Sequence, residues 1–389
     1  MAAFANAGGF SNWPEEVHLM GLLHDLNLSP VINAAGKLTA LGGSALGEEA
    51  IAAMAEAARA HVDLAALRRA AGAEIARLAG AEAGTVTAGA SASLVMAVAG
   101  CIAGTDSATI AQLPDSAGLP NRVPIQPGQL VDFGAPIEQM IRLGGGRPIP
   151  VGAVNTVRPR DLEAAIEAGG VACAMFVVSH HCVQVNGLSL AAWLEICHER
   201  GVAVVVDAAA EEDLRRYLDA GADLVACSGA KAFAGPTSGI LLGRADLIAA
   251  ADAQFGGVAR PMKVGKEDIL GLVAALRAYL CRDAAAERAR QAAVIAAIRS
   301  RVGVLPGVEL RVVADEAGRP IERLALAATP ERARTLAAAL AAGTPSIRTR
   351  NHHLAEGVAL IDPRALTVTD AELIGARLAE LGRIVGSGD

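Results

Sequence analysis

The sequence predicts an α/β fold: a large domain on a mostly parallel sheet covered by helices on both faces, and a small C-terminal α+β domain. Three observations predict it. The chain has 389 residues, more than a single ordinary core takes up, and 53% of them are hydrophobic, enough to bury a sizeable interior. Its middle alternates continuous apolar runs of strand length with helical segments, which is how strands buried on both faces read. Beyond Val304 shorter strand candidates alternate with helices, a pattern suited to a smaller mixed domain.

Taken in order, residues 1–28 read as an N-terminal arm, with Gly8, Gly9 and Pro14 early and an apolar stretch near Leu22. The large domain spans 29–265. Alanine, leucine and charged residues recur at helical spacing from Glu48 to Gly80, with Gly72 as a possible break. Thr85-Val86-Thr87 is a short strand, Gly89-Ala90-Ser91 a turn, and a helix of small residues runs on to Ala103. Val171 to Ser179 is a continuous apolar run, Leu190 to Arg200 a helix, and Val202 to Val206 a β-branched strand ending at Asp207. Another helix precedes Gly221, and Asp223 to Cys227 and Gly239 to Gly243 are further strands. A helical connector covers 266–300. The small domain, 301–389, carries strands at Val308 to Val313, Arg323 to Ala327 and Val358 to Ile361, and helices at Glu331 to Ala342 and Asp370 to Leu381.

Composition excludes several classes of function. A formal net charge of -7 argues against a surface built to wrap nucleic acid. None of the six cysteines forms a C-x-x-C pair and most lie in apolar runs, as buried thiols in a reducing compartment do. No basic segment followed by an apolar stretch opens the chain, and runs such as Val171 to Val178 are far too short to cross a bilayer. A cytoplasmic protein acting on a small molecule is the expectation, with neither nucleic acid nor membrane as partner.

Ligands of open α/β sheets sit beyond the carboxyl ends of the strands, and Ser179, Asp207 and Ser228 all fall at predicted strand ends. One acid and one lysine stand out there, twenty-four positions apart. The acid closes Val205-Val206-Asp207. A carboxylate in that place can keep a pyridine nitrogen protonated and so keep the ring of pyridoxal 5'-phosphate (PLP) an electron sink. The lysine lies in Ser228-Gly229-Ala230-Lys231, where a partly desolvated amine can form a Schiff base with an aldehyde and Ser228 can donate to the cofactor phosphate. Ala88-Gly89-Ala90-Ser91-Ala92-Ser93 supplies small residues at a strand-to-helix turn, where free amides and the helix dipole favour a phosphate. Singly, each signal is weak: such a turn is more often only a cap, a strand-end Asp is often a turn former, and a lone Lys is usually solvated. Their order and shared strand-end position point jointly to PLP.

On these residues the chain resembles the fold-type I PLP-dependent transferases related to bacterial selenocysteine synthase. Within that group it is most similar to the D-glucosaminate-6-phosphate ammonia-lyases. The resemblance runs from Val31 to about Arg364, and its most specific stretches are Val31-Ile32-Asn33-Ala34-Ala35-Gly36, Ser179-His180-His181-Cys182-Val183-Gln184, Asp207-Ala208-Ala209-Ala210-Glu211-Glu212, Ser228-Gly229-Ala230-Lys231, Gly235-Pro236-Thr237-Ser238-Gly239 and Met262-Lys263-Val264-Gly265-Lys266-Glu267. It implies that Lys231 carries PLP covalently, that Asp207 pairs with its ring nitrogen and that Ala209 also binds the cofactor. Gly89, Ala90, Ser91, Ala92 and Ser228 would hold the phosphate, with Thr237 or Ser238 reaching in from a partner subunit of a homodimer or larger homo-oligomer. Arg350 would clamp the substrate carboxylate, with Arg348 its rival and Asn33 a further substrate contact. A selenocysteine synthase would bring an additional tRNA-binding region before the catalytic pattern, which begins here almost at once.

His180-His181 follows a buried strand. No third ligand has suitable spacing, so no metal is expected; a ring stacked on the cofactor or an acid/base at the substrate fits better. His352-His353 suits an exposed loop equally well. Lys37, Arg68, Arg69, Arg260, Lys263 and Lys266 are candidates for a distal phosphate, of which two or three, Lys263 and Lys266 foremost, would touch substrate. The reading is thus an ammonia-lyase on a 2-amino-3-hydroxy sugar acid: Lys231 removes the α-proton, and His181, His180 or Lys231 protonates the leaving hydroxyl. A 2-keto-3-deoxy acid and ammonia result, from D-glucosaminate 6-phosphate 2-keto-3-deoxygluconate 6-phosphate. Racemisation or β-substitution begins with the same proton abstraction. Transfer to seryl-tRNA, or a PLP-binding regulator without turnover, are the remaining rivals.

Overall fold

The computed structural model describes residues 19–132, 134–316 and 319–386. In chain order their strands are β1 (Ile32–Ala34), β2 (Ala83–Thr87), β3 (Arg122–Ile125), β4 (Arg147–Pro150), β5 (Ala174–Val177), β6 (Val204–Asp207), β7 (Leu224–Ser228), β8 (Gly239–Gly243), β9 (Glu309–Ala314), β10 (Glu322–Ala327), β11 (Ile347–Thr349) and β12 (Val358–Ile361). The chain divides into two compact units. One comprises Lys37–Ala284 together with Glu316, and the other the described residues up to Gly36, Ala285–Asp315 and those from Arg319 onward.

The first unit is built on a five-stranded sheet in the order β2-β8-β7-β6-β5. β6 runs parallel to both β5 and β7, while β8 is antiparallel to β7 and to β2, so four strands point one way and β8 the other. The reversal follows from connection length, because residues 229–238 are too few to carry a crossover helix and β8 must start at the edge where β7 ends. β6, β7 and β8 are buried along their whole length, as the continuous runs Val-Val-Val-Asp and Leu-Val-Ala-Cys-Ser require of strands covered on both faces. Trp193, Val204, Val206 and Ile240 belong to one core layer and Met96, Met175, Val205 and Leu241 to the other, the period-2 alternation of a sheet sandwiched by helices. The parallel pair β3-β4 continues beside β5 through a bridge from Arg122 to Val171.

The helical stretch expected from Glu48 to Gly80 is two helices, Glu48–Arg59 and Leu64–Ala79. The break falls before Asp63, whose carboxylate caps the second helix by accepting from Ala66 N. Gly72 does not break it; a Cβ there would lie 2.1 Å from Gly84 O, so glycine lets the helix lie close on β2. The connector is likewise two helices, Lys266–Cys281 and Ala284–Val302, and they fall in different units.

The second unit holds the antiparallel sheet β12-β10-β9 and a parallel pair of β1 with β11, so the stretch from Ile32 to Gly36, expected at the start of the large domain, sits with the smaller one. Beneath its sheet lies a charged network. Arg323 donates to Asp315 at 2.6 Å and to Asp362 at 2.9 Å, and Arg364 forks onto Asp362 with two bonds of 2.9 Å. Although burial opposes ionisation, the guanidinium bonds hold Asp362 down at about 2. Gly36 abuts this carboxylate, with no room for a Cβ, which would sit 2.7 Å from Asp362 Oδ2.

Of the expected arm over 1–28, residues 1–18 lie outside the described residues, and Leu19–Asp25 is a short helix. Among the described residues no helix is long and apolar enough to cross a membrane.

Candidate active site

Strand register brings the predicted residues to one edge of the five-stranded sheet. Asp207, the last residue of β6, lies beside Val177 of β5 and Ala226 of β7. Ser228, the last residue of β7, pairs with Gly239 of β8, which pairs in turn with Thr87 of β2. The carboxyl ends of β2, β5, β6 and β7 therefore converge, as the topology of such sheets dictates.

Asp207 is 7% exposed, and burial raises its carboxyl to about 6, opposed by a hydrogen bond from Ala209 N at 3.1 Å and by the charge of Lys231. That amide is the one hydrogen-bond donor to this carboxylate among the described residues. An acid so placed has capacity for a cationic N–H donor, and a protonated pyridine nitrogen supplies one. The thiols of Cys182 and Cys227 are pushed up mainly by burial and secondarily by the charge of Asp207, Cys182 to about 11, and so remain neutral beside the acid.

The turn after β2 is shaped by a close approach. A Cβ on Gly239 would lie 2.3 Å from the carbonyl carbon of Gly89, so glycine at 239 lets β8 begin directly against the turn. Thr87 Oγ1 donates to Gly89 O at 2.9 Å. The helix Ala90–Ala103 then starts with no side-chain cap on Gly89, and its first internal donor is Ser93 N, to Gly89 O at 3.0 Å. Among the described residues the amides of Ala90, Ser91 and Ala92 have no hydrogen-bond acceptor, and a Cβ on Gly89 would meet only Ser91 Oγ, at 3.8 Å. Free amides, open space and the positive end of a fourteen-residue helix make an anion cradle, and the residues present fit PLP at both ends.

Lys231 sits in the loop between β7 and β8, partly buried. The loop closes on itself through Gly229 N to Ser238 O at 2.9 Å and Gly235 N to Gly229 O at 2.8 Å. Ser238 is 1% exposed and its hydroxyl donates to Pro236 O at 2.7 Å, which gives it a structural task within its own subunit, whereas Thr237 is exposed. His180 and His181 follow β5, with ring centroids 3.9 Å apart at 41°; His180 is half-buried and His181 exposed. The strand end beneath them is laced by glutamines: Gln129 accepts from Val177 N at 3.0 Å, and Gln184 accepts from Gly128 N at 2.8 Å and donates to Ala153 O and Val154 O.

Several candidate cations are already engaged. Lys266 donates to Ala57 O and pairs with Glu267, Arg68 forks onto Asp252 and covers the ring of Phe255, and Lys37 donates to Ala232 O. Lys263 and Arg260 are exposed. In the second unit Asn33 closes a local turn, donating to Gly36 O and accepting from Ala35 N. Arg348 is exposed on β11, and Arg350 is 8% exposed, its backbone paired with Leu360. Ser44 and Tyr279 were not singled out from the sequence. Ser44 Oγ donates to Lys231 O at 2.8 Å, and Tyr279 donates to Glu212 O at 3.0 Å while its ring meets Phe233 edge-on. The only sequence signal for the first is the Gly42-Gly43-Ser44 run.

Residues 31–303 match the family of L-seryl-tRNA selenium transferases, SelA. The chain is 41% identical to a D-glucosaminate-6-phosphate ammonia lyase of Salmonella typhimurium over 92% of its own length and 97% of that protein. It is 42% identical to a 5'-C-glycyluridine monooxygenase-decarboxylase of a Streptomyces species, over 94% of its own length and 92% of that protein. A solved D-glucosaminate-6-phosphate ammonia-lyase superposes with a TM-score of 0.86 at 40% identity, covering 94% of this chain and 99% of that one. A serine palmitoyltransferase of S. paucimobilis with a bound PLP-myriocin aldimine shares the fold alone, at 13% identity and a TM-score of 0.56 over 92% of this chain and 88% of that one. The architecture is that of fold-type I PLP-dependent enzymes.

Proposed function

The chain belongs to the SelA family, and from that premise we propose that it is a PLP-dependent ammonia-lyase of 2-amino-3-hydroxy sugar acids, with D-glucosaminate 6-phosphate as substrate. The observation that carries this reading is the placement of Asp207, a buried acid with capacity for a cationic donor, at the same sheet edge as Lys231 and the uncapped helix start, in a chain so similar to a lyase over nearly its whole length. PLP would be held covalently on Lys231 Nζ, its ring nitrogen by Asp207 and its phosphate by the amides of Ala90 to Ala92 with Ser91 and Ser228. When bound it supplies an electron sink that acidifies the α-C–H bond of the substrate.

The chain's own residues do the rest. Lys231 Nζ would take the α-proton of the substrate. Asp207 stays ionised opposite the ring nitrogen, and the neutral Cys182 and Cys227 thiols add no second negative charge beside it. His181 or His180 delivers a proton to the departing β-hydroxyl. Water loss, tautomerisation and hydrolysis then yield the 2-keto-3-deoxy acid and ammonia. Exposed Lys263 would receive a distal phosphate, with exposed Arg69 and Arg260 the other candidate cations left, and exposed Thr237 is the candidate that a homo-oligomer would lend to a partner's cofactor phosphate.

The similarity to the Streptomyces enzyme favours one second reading, oxygen-dependent decarboxylation of a glycyl-nucleoside. Both are tested by supplying D- and L-2-amino-3-hydroxy sugar acids, phosphorylated and not, and 5'-C-glycyluridine, and by measuring ammonia, ketoacid, oxygen and carbon dioxide. The lyase reading expects equimolar ammonia and ketoacid without oxygen uptake. Oxygen consumption with release of carbon dioxide from the nucleoside, and no ketoacid from any sugar acid, would replace it with the second.

A further inference from the structure

The loop that carries Lys231 turns three consecutive carbonyl oxygens toward residues 37–44, and each is met there by a donor. Ser44 N donates to Ala230 O at 3.0 Å, Ser44 Oγ to Lys231 O at 2.8 Å, and Lys37 Nζ to Ala232 O at 2.8 Å. The approach is as close as the chain permits. Gly43, at a φ of +79°, would place a Cβ 2.5 Å from Ala230 O, so both its conformation and its contact demand glycine. Within the loop Ala234 takes a φ of +51°, a left-handed conformation that a residue with a Cβ adopts only where its surroundings impose it. Ring closure by Gly229 and Gly235 holds the loop from one side, and the donors of 37–44 hold it from the other.

We propose that Ser44 and Lys37 are positioning residues for Lys231: they fix the backbone from which its amine reaches the group held by Asp207. This rests on the reading of Lys231 as the cofactor-bearing lysine. A lysine side chain has four rotatable bonds, so its reach is set by where its backbone is anchored, and a freed carbonyl would let the anchor drift. Lys37, counted from the sequence among cations for a substrate phosphate, is thereby assigned to the loop.

The test uses the full-length protein loaded with PLP. Wild type, Ser44→Ala, Ser44→Thr and Lys37→Met are compared in four measurements: thermal midpoint, PLP dissociation constant, pH titration of the bound-cofactor absorbance, and mass of the Lys231 peptide after borohydride reduction. An ordinary hydrogen bond corresponds to roughly two- to tenfold in an equilibrium or rate. Ser44→Ala is therefore expected to lower trapping on Lys231 and kcat about fivefold and to move the absorbance titration, with KM unchanged. Ser44→Thr restores all three, and Lys37→Met, which leaves the Ser44 contacts in place, shifts them in the same direction. Titration and trapping equal to wild type in Ser44→Ala and Lys37→Met, with only the thermal midpoint lowered, overturn the proposal. Absence of any Lys231 adduct in the wild type overturns instead the reading of Lys231 on which it rests.

Discussion

Replacing Asp207 by asparagine separates what the acid costs the protein from what it does for the cofactor. Burial raises its carboxyl from 3.8 to about 6, so the folded chain binds this proton more tightly than the unfolded chain does. The stability linked to it is fully present below about pH 4 and is lost as pH rises toward and through 6. At about 1.4 kcal/mol per pKa unit, the loss at pH 8 is about 3 kcal/mol. Asparagine has no charge to bury. Cofactor-free Asp207→Asn is therefore expected to melt above cofactor-free wild type at pH 8, by on the order of 6 °C, and to match it near pH 4. With PLP bound the order reverses, because the cationic ring nitrogen compensates Asp207 and finds only a neutral amide in the variant, which should also lose most turnover. Scanning fluorimetry of both proteins, with and without PLP, from pH 4 to 8 reads all four combinations. Parallel pH profiles for the two cofactor-free proteins would refute the account of Asp207 as an acid whose ionisation is opposed chiefly by burial.

Lys231→Ala should lose both the borohydride-fixed adduct and turnover; near-normal turnover would remove Lys231 from the mechanism. Lys263→Ala should shrink the preference for a phosphorylated over an unphosphorylated sugar acid in kcat/KM, whereas Lys266→Met, which breaks the contacts to Ala57 O and Glu267, should chiefly lower the melting temperature. The opposite assignment of the two effects would put Lys266 in the substrate site. With the Cys182 thiol raised to about 11, its alkylation by iodoacetamide should climb with pH well past the 8.5 of an ordinary cysteine, and exposed Cys281 provides the internal comparison by peptide mass.

The strand ends that frame the candidate site were legible because the forces that define them are local. Val-Val-Val-Asp and Leu-Val-Ala-Cys-Ser are apolar on both faces, so each run announces a buried strand, and the polar residue that closes it announces an edge. The reversal of β8 was not legible as direction, since a parallel and an antiparallel buried strand share the same composition. β1 and β11 went unseen for a different reason: each is three residues long and exists only through the other. The charged residues were the least legible. Lys37, Arg68, Lys263 and Lys266 look alike in sequence, and what distinguishes them are acceptors 195 residues away for Lys37, 184 for Arg68 and 209 for Lys266. A buried ammonium or guanidinium must find such acceptors to offset its desolvation, so folding sorts a cluster of equivalent cations into those that brace loops and those left exposed. Where that sorting binds Lys37 to the loop of Lys231 and Lys266 to a neighbouring helix, it leaves Lys263 exposed along with Arg69 and Arg260, which is why the two lysines of one short motif are expected to respond so differently to substitution.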